Sequence, residues 1–244
     1  MNIQAEPITN SIIDKLSELS NRITKPNDLE IRKLKNDIDK LKNITPSAYF
    51  MAQGMFACLM ENAQDCIKYH SLSLQLDNDA IFYVNYSLSL KKLGRYSEAH
   101  KIIQNGLFIH PTVPDLLRTG IGIACLSGHP QECLILADEL NKLNLPLEET
   151  LLHYIAEANL MISADLSDKT VSQCHEIMEI ILANFNAKII NNLLFKNDNQ
   201  IFQWIEITAN IATTIEMNFE LAQTITENPA LQTDNYCIAF RSAQ

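Results

Sequence analysis

The chain has 244 residues, of which 47% are apolar and 20% are charged, and its formal net charge is −10. This length and apolar content suffice for one elongated core or two small ones, which excludes disorder as the main state. With only 6 glycines and 8 prolines, and with apolar residues spaced by three and four, the sequence predicts a mainly α protein.

An N-terminal helical hairpin is predicted in residues 1–45. Residues 11–23 carry an apolar face, and Asn10 is a candidate N-cap for that helix. After Pro26, Asp28 is expected to cap a second helix whose apolar residues step by three, four and three. This stripe also fits a coiled-coil seam. Fewer than two heptads are present, which favours packing of the hairpin on the elements that follow.

Residues 46–147 contain a repeating unit. Small residues recur at Cys66, Ala99 and Cys133, which lie 33 and 34 positions apart. All six glycines lie between residues 54 and 128, where turns and close helix contacts need a residue without a Cβ. The residues that define the repeat are Gly54, Cys66, Gly94, Ala99, Pro111, Gly128 and Cys133.

The most complete unit spans residues 80–113. Its signature residues are Tyr83, Tyr86, Ser87, Leu90, Gly94, Tyr96, Ala99, Ile103, Gly106 and Pro111. This spacing resembles the tetratricopeptide (TPR) repeat family, and the resemblance extends to three units over residues 46–147. The flanking units depart from the pattern, since Asn78 stands where a closing proline is usual. The resemblance implies an α-solenoid of TPR-like helical hairpins, a fold that usually holds another protein.

A further helical hairpin is predicted in residues 148–186, and a small α/β cap in residues 187–244. Strands are expected around residues 203–207 and 236–240, with a helix at 210–227 between them. The helix places several residues on one face: Ile211, Ile215, Phe219, Ala222 and Thr226. The chain then ends in a β-α-β cap whose strands pair with each other or offer an edge to a partner.

Charge is distributed unevenly along the chain. Residues 148–244 hold four basic and thirteen acidic groups, a net charge of −9, against +1 for residues 1–43 and −2 for 44–147. An acidic surface repels phosphate backbones and anionic lipid, so neither nucleic acid nor a membrane is expected as the main ligand. It favours a basic partner, although solubility explains it equally well.

The TPR resemblance also implies a concave groove lined by the first helix of each hairpin. The expected groove residues are Met51, Met55, Leu59, Val84, Leu88, Lys91, Lys92, Arg118, Gly122 and Cys125. The first half is apolar and contains methionines, which adapt to varied partner surfaces. An open groove and a groove covered by the N-terminal hairpin remain alternatives.

No catalytic, metal-binding or cofactor-binding set is recognisable in the sequence. The closest Cys/His arrangement is Cys174 and His175, but neighbours on a helix point about 100° apart and cannot form an activated pair. The cysteines lack the close spacing of a zinc site, and no phosphate-binding glycine loop occurs. We therefore expect neither an enzyme nor a metalloprotein.

The sequence therefore favours a non-enzymatic adaptor that holds a segment of another protein in its groove. A dedicated sequestering protein, such as a secretion chaperone, antitoxin or immunity protein for a basic client, is the alternative. Self-assembly into a homo-oligomer is a third, because an unsealed repeat end can stack on a copy of itself. The first residues lack the pattern of a signal peptide, so a cytoplasmic location is expected.

Overall fold

The computed structural model describes residues 5–22 and 24–243, and most of these residues are helical. Residue 23, expected at the end of the first apolar face, lies outside the described residues. The chain divides into two compact units: unit 1 is Met1–Leu93 and unit 2 is Gly94–Gln244. A small β-sheet lies near the carboxyl end of unit 2.

All the regular secondary structure in the described part of unit 1 is helical. Its helices are α1 (Ala5–Asn21), α2 (Asp28–Lys40), α3 (Pro46–Leu59), α4 (Ala63–Leu76) and α5 (Ala80–Lys92). Helix α3 packs along α4, and α5 packs against both. Helices α1 and α2 pack against α3. Consecutive helices thus pair in the manner that a helical repeat requires.

The core of unit 1 joins the N-terminal helices to the first repeat hairpin. Leu16 of α1 and Ile38 of α2 have no exposed surface, and they share one apolar cluster with Met51, Met55 and Phe56 of α3. Each large apolar side chain buried in this way contributes roughly 1.5–3 kcal/mol to folding. This cluster therefore holds α1 and α2 firmly on α3.

Two expected helix caps are wrong. Helix α1 begins at Ala5, so Asn10 lies inside it. Helix α2 is capped by Asn27 instead of Asp28: Asn27 Oδ1 accepts from the backbone N–H of Leu29 and of Glu30, each at 3.0 Å. The Glu30 carboxylate accepts in return from the Asn27 N–H at 3.0 Å. Such a reciprocal box requires a glutamate three residues after the cap, and only Asn27 has one here.

Unit 2 contains six α-helices and three strands among its described residues. They are α6 (Tyr96–Ile109), α7 (Pro114–Leu126), α8 (Pro130–Lys142), α9 (Glu149–Ile162), α10 (Asp168–Asn184), β1 (Ile189–Asn197), β2 (Gln200–Ile207), α11 (Ile211–Thr226) and β3 (Tyr236–Ser242). Helix α7 packs against α6 and α8, and α9 packs against α7 and α8. Pairwise packing of consecutive helices thus recurs in unit 2.

Helix α10 crosses the ends of other helices in unit 2 and satisfies their backbone groups. The Asp168 carboxylate accepts from the N–H of Gln131, at the start of α8, at 2.7 Å. The Glu179 carboxylate accepts from the Ser97 N–H, at the start of α6, at 2.9 Å. Neither α6 nor α8 has a side-chain cap from its own N-cap residue. Both helix starts therefore depend on carboxylates of α10, which also complement the helix dipoles.

The carboxyl-terminal sheet has three strands in the order β1-β2-β3. β1 and β2 form an antiparallel hairpin, and β2 and β3 pair in parallel. The expected pairing of the strands around residues 203–207 and 236–240 is thus confirmed. The expected β-α-β order is corrected to β-β-α-β, because residues 189–197 form an additional strand.

Helix α11 turns the expected apolar face toward solvent. Its buried residues are Thr214, Met217 and Leu221, whereas Ile211 and Phe219 are exposed. On the same side of the helix, the Asn218 side chain donates to the Phe240 carbonyl at 2.9 Å and accepts from the Phe240 N–H at 2.8 Å. Burial of Met217 and Leu221 in the core and these paired hydrogen bonds together hold this side of α11 against the sheet.

Among the described helices, none combines the length and the apolar character needed to cross a lipid bilayer.

Candidate functional site

The two groove methionines are buried under the N-terminal helices. Met51 is 1% exposed and Met55 is 8% exposed, and both belong to the cluster that contains Leu16 and Ile38. Leu59 packs against the same cluster. Of the two alternatives, the covered groove therefore applies to this part of α3, because α1 and α2 fill the space beside it.

The groove residues of α5 differ in accessibility. Val84 is buried, Leu88 is exposed and Lys91 is half-buried. Lys92 is exposed, and its ammonium group donates to Asn21 Oδ1 at 2.9 Å. In unit 1, Leu88 and Lys92 are thus the groove residues most accessible to a partner.

The three groove residues of unit 2 contact α9 or the segment before it. Gly122 faces the ring of Tyr154, and the Cys125 thiol donates to Glu157 Oε2 at 3.5 Å. The Nε atom of half-buried Arg118 lies 3.8 Å from Glu148 Oε1. Gly122 and Cys125 are buried, so they bind α9 of their own chain and are not available to a partner.

Two buried cysteines of unit 2, Cys125 and Cys174, are poor nucleophiles. Burial raises the pKa of the Cys174 thiol to about 11. The pKa of Cys125 lies well above its usual value, because the thiol is hydrogen-bonded to Cys133 and buried. Only a thiolate attacks carbon or binds a metal well. The His175 ring nitrogens contact Leu126, Gln203 and Tyr236, so His175 does not orient toward Cys174.

His175 anchors a buried polar network between α7, α10 and the sheet. Its Nδ1–H donates to the Leu126 carbonyl at 2.9 Å, and its Nε2 lies 3.0 Å from Gln203 Oε1. The Tyr236 hydroxyl donates to the same Gln203 oxygen, and the Gln203 amide donates to Asn192 Oδ1 at 2.9 Å. Burial lowers the pKa of His175. His175 and Gln203 are buried and Asn192 and Tyr236 are half-buried, and the network joins the sheet to the helices.

A small cavity adjoins this network. It has a volume of about 20 Å³ and is lined in part by Tyr96, Met178 and Ile205. That space holds about one water molecule and is too small for an organic substrate.

A second polar cluster lies near the start of α8. The stacked rings of His100 and His129 have centroids 3.8 Å apart, and His100 Nε2 lies 2.7 Å from Glu132 Oε2. In the described residues no group of three His, Cys, Asp or Glu is arranged to hold a metal ion.

Among the described residues of unit 2, helix α11 carries the most exposed row of large apolar residues. Ile211 is 70% exposed, Ile215 50% and Phe219 73%. These residues follow each other at intervals of four and continue into exposed Ala222, so they form one face of the helix. We call Ile211, Ile215, Phe219 and Ala222 the α11 stripe. Glu216 and Glu220 flank it.

The sheet has a second candidate surface on the side away from α11. Ile205 and Phe240 pack toward α10 and α11, whereas the alternate positions of all three strands point outward. We call the outward apolar residues the aromatic face: Leu193, Phe195, Phe202, Trp204, Cys237 and Ala239. The sequence analysis did not predict β1, so it did not identify the β1 residues of the aromatic face. A turn at Asp198 and Asn199 between two apolar runs is the sequence signal that could have predicted a hairpin here. Asp198 adopts a φ of 51° in that turn.

No protein-family model matches the chain, and comparisons with curated proteins and with solved structures gave no significant match.

Proposed function

We propose that this chain is a non-enzymatic, cytoplasmic protein of the TPR-like helical-repeat type, which holds an amphipathic segment of another protein against α11. The α11 stripe carries this proposal. Three large apolar side chains that remain in contact with water on one helix face are costly to maintain, and such faces commonly bind partners. The repeat assignment is supported by the complete burial of Cys66, Ala99 and Cys133.

The spacing of the stripe fits a helical partner. Anchors four residues apart are the pattern by which one amphipathic helix packs along another. Phe219 is the largest of the three anchors, and aromatic residues often dominate binding energy at interfaces. The partner is therefore expected to present its own apolar row to Ile211, Ile215 and Phe219.

The charge distribution supports a basic partner segment. Glu216 and Glu220 border the stripe, and residues 148–244 carry a net charge of −9. A lysine-rich or arginine-rich border on the partner helix would meet these carboxylates. The surrounding acidic surface would also accelerate the encounter.

The same charge favours a second candidate function, the sequestration of one dedicated basic client. An adaptor binds several partners weakly and releases them, whereas a sequestering protein forms one long-lived complex of fixed stoichiometry. The dissociation rate of the purified complex discriminates between the two functions, because affinity differences between related complexes lie mostly in that rate.

The proposal is tested with a labelled peptide whose leucines recur at helical spacing and whose flanking residues are lysines. A matched peptide carries glutamates in place of the lysines. We expect the lysine peptide to bind more tightly, with an affinity that falls as salt is added. Fluorescence anisotropy measures both peptides against the full chain.

Phe219→Glu should weaken binding of the lysine peptide by at least about tenfold, or 1.4 kcal/mol. Ile135→Glu is the matched control, because Ile135 is an exposed apolar residue on α8, away from α11. Binding that Phe219→Glu leaves unchanged, or equal binding of both peptides, contradicts the proposal.

A further inference from the structure

The aromatic face is an ordered surface. The rings of Phe195 and Phe202 stack with centroids 5.4 Å apart and an interplanar angle of 11°. Trp204 meets Phe195 edge-on at 5.6 Å. Phe195 is 41% exposed and Trp204 is 38% exposed. Contacts among the rings hold these side chains in place, so a partner gains aromatic area at little cost in conformational entropy.

The charges on this face balance. Of the described strand residues, the outward-facing charged ones are Glu206 and Arg241, whose Oε1 and Nε atoms are 3.8 Å apart. The Arg241 guanidinium carbon also lies 5.5 Å from the centroid of the Trp204 ring. The face is thus neutral and carries both signs of charge, although it belongs to the most acidic third of the chain.

We propose that the aromatic face is the interface of a homodimer, formed with a second copy of this chain about a twofold axis. A neutral face offers no net attraction to a basic partner. It does allow two acidic chains to approach without placing like charges together. A twofold axis makes each contact occur twice, so a face that carries both Glu206 and Arg241 is complementary to itself.

The sheet architecture also favours a second copy of this chain as the partner. One face of the sheet is covered by α10 and α11, and no described element of unit 2 covers the aromatic face. A second copy would supply that layer by packing sheet on sheet, with the strands at about 30° and the sheets about 10 Å apart. Trp204 would then lie at the centre of a closed aromatic core. This inference is independent of the α11 stripe, which lies on the opposite side of the sheet.

Trp204 is the only tryptophan of the chain, so its fluorescence reports on this face alone. Dilution should shift its emission to longer wavelength and increase quenching by acrylamide, because the dissociated face meets water. Sedimentation velocity should report a fall from dimer to monomer over the same concentrations. A monomer at every concentration, with constant emission, overturns the proposal.

Two variants locate the interface. Phe195→Glu places a charge among the rings and should weaken self-association by at least about tenfold. Phe219→Glu is the matched control, because it adds the same charge to exposed Phe219 on α11 and should leave the dimer intact. A dimer that survives Phe195→Glu, or that is lost with Phe219→Glu, contradicts the assignment. Circular dichroism verifies that both variants keep the wild-type helix content.

A mixing experiment tests the self-complementary charges. Arg241→Glu leaves two negative charges on each face, and Glu206→Arg leaves two positive ones. Each variant alone should dimerise more weakly than the wild type, and an equimolar mixture should regain association. A mixture no more associated than its components overturns the proposed second copy. The proposed second copy is also overturned if the wild type is a monomer that binds another protein through Phe195.

Discussion

The side chain of His70 occupies the space that a Cβ would fill at Gly54. A methyl group built on Gly54 would lie only 2.5 Å from His70 Cδ2. The imidazole also stacks on the Tyr86 ring, with centroids 4.9 Å apart, and its Nε2 lies 3.0 Å from Ser89 Oγ. One glycine of α3 thus allows a histidine of α4 to connect α3 with α5.

We expect Gly54→Ala to destabilise unit 1. The new methyl group cannot fit beside the imidazole, so the ring must leave its stack or the helices must separate. Overpacking of this kind costs about 1–3 kcal/mol. Thermal and urea denaturation followed by circular dichroism measure the loss. In the double variant with His70→Ala, Gly54→Ala should lower the free energy of unfolding much less, because the imidazole that would clash with the methyl group is absent. Additive costs would contradict the steric account.

Stability should fall as pH falls below about 6.5, in part because of His70. Burial lowers the pKa of His70 to about 3, whereas in the unfolded chain it lies near 6.5. Between these values the unfolded state binds a proton that the folded state does not. His70 alone should lower the free energy of unfolding by up to about 5 kcal/mol near pH 3.

His70→Phe keeps an aromatic ring against Tyr86 and should reduce the slope of stability with pH. Urea denaturation at several pH values between 4 and 7 measures that slope. His153→Phe is the control, because the His153 side chain is 69% exposed. Equal slopes for the wild type and His70→Phe would refute the assignment.

A pair of glutamate substitutions distinguishes core from surface among the groove residues. Met55→Glu should unfold the N-terminal part of unit 1, because it places a carboxylate in the cluster with Leu16 and Ile38. Leu88→Glu should leave helix content and melting temperature nearly unchanged, since Leu88 is exposed. Circular dichroism compares the two variants. A folded Met55→Glu protein would indicate that α1 and α2 leave α3 open.

Glu179 should make unit 2 less stable as pH rises from about 4.5 to 7. Burial raises the pKa of its carboxyl group to about 7, against the opposing effect of the hydrogen bonds from Ser97. The unfolded state therefore loses its proton first, which favours unfolding by up to about 3 kcal/mol above pH 7.

Glu179→Gln keeps an acceptor for the Ser97 N–H and removes this ionisation. The variant should be more stable than the wild type at pH 8 and similar to it near pH 4, as measured by urea denaturation. Glu216→Gln, at an exposed position of α11, serves as the control, because Glu216 is not among the charges that raise the pKa of Glu179. If both variants respond to pH as the wild type does, the effect does not come from Glu179.

Local patterns predicted most of the helices of this chain. Three-and-four spacing predicts helices at about residues 147–163 and 169–185, which agree with α9 and α10 to within two residues. The alternation around Trp204 indicates β2. Sequence reasoning failed at β1. The expected helical hairpin and the cap left residues 189–197 unassigned, because a strand buried on one side only gives a weak pattern until its partner is known.

The sequence by itself determined the mainly helical class, the small residues at tight helix contacts and the acidic carboxyl-terminal third, because each depends on residue type and spacing. The tertiary structure decided which faces remain accessible. It buried Met55 beneath α1 and α2, and it exposed Phe219 because Met217, Leu221 and Asn218 hold the other side of α11 against the sheet. It also assigned the caps of α6 and α8 to Glu179 and Asp168. These outcomes depend on residues distant in the chain, whose proximity local spacing does not specify.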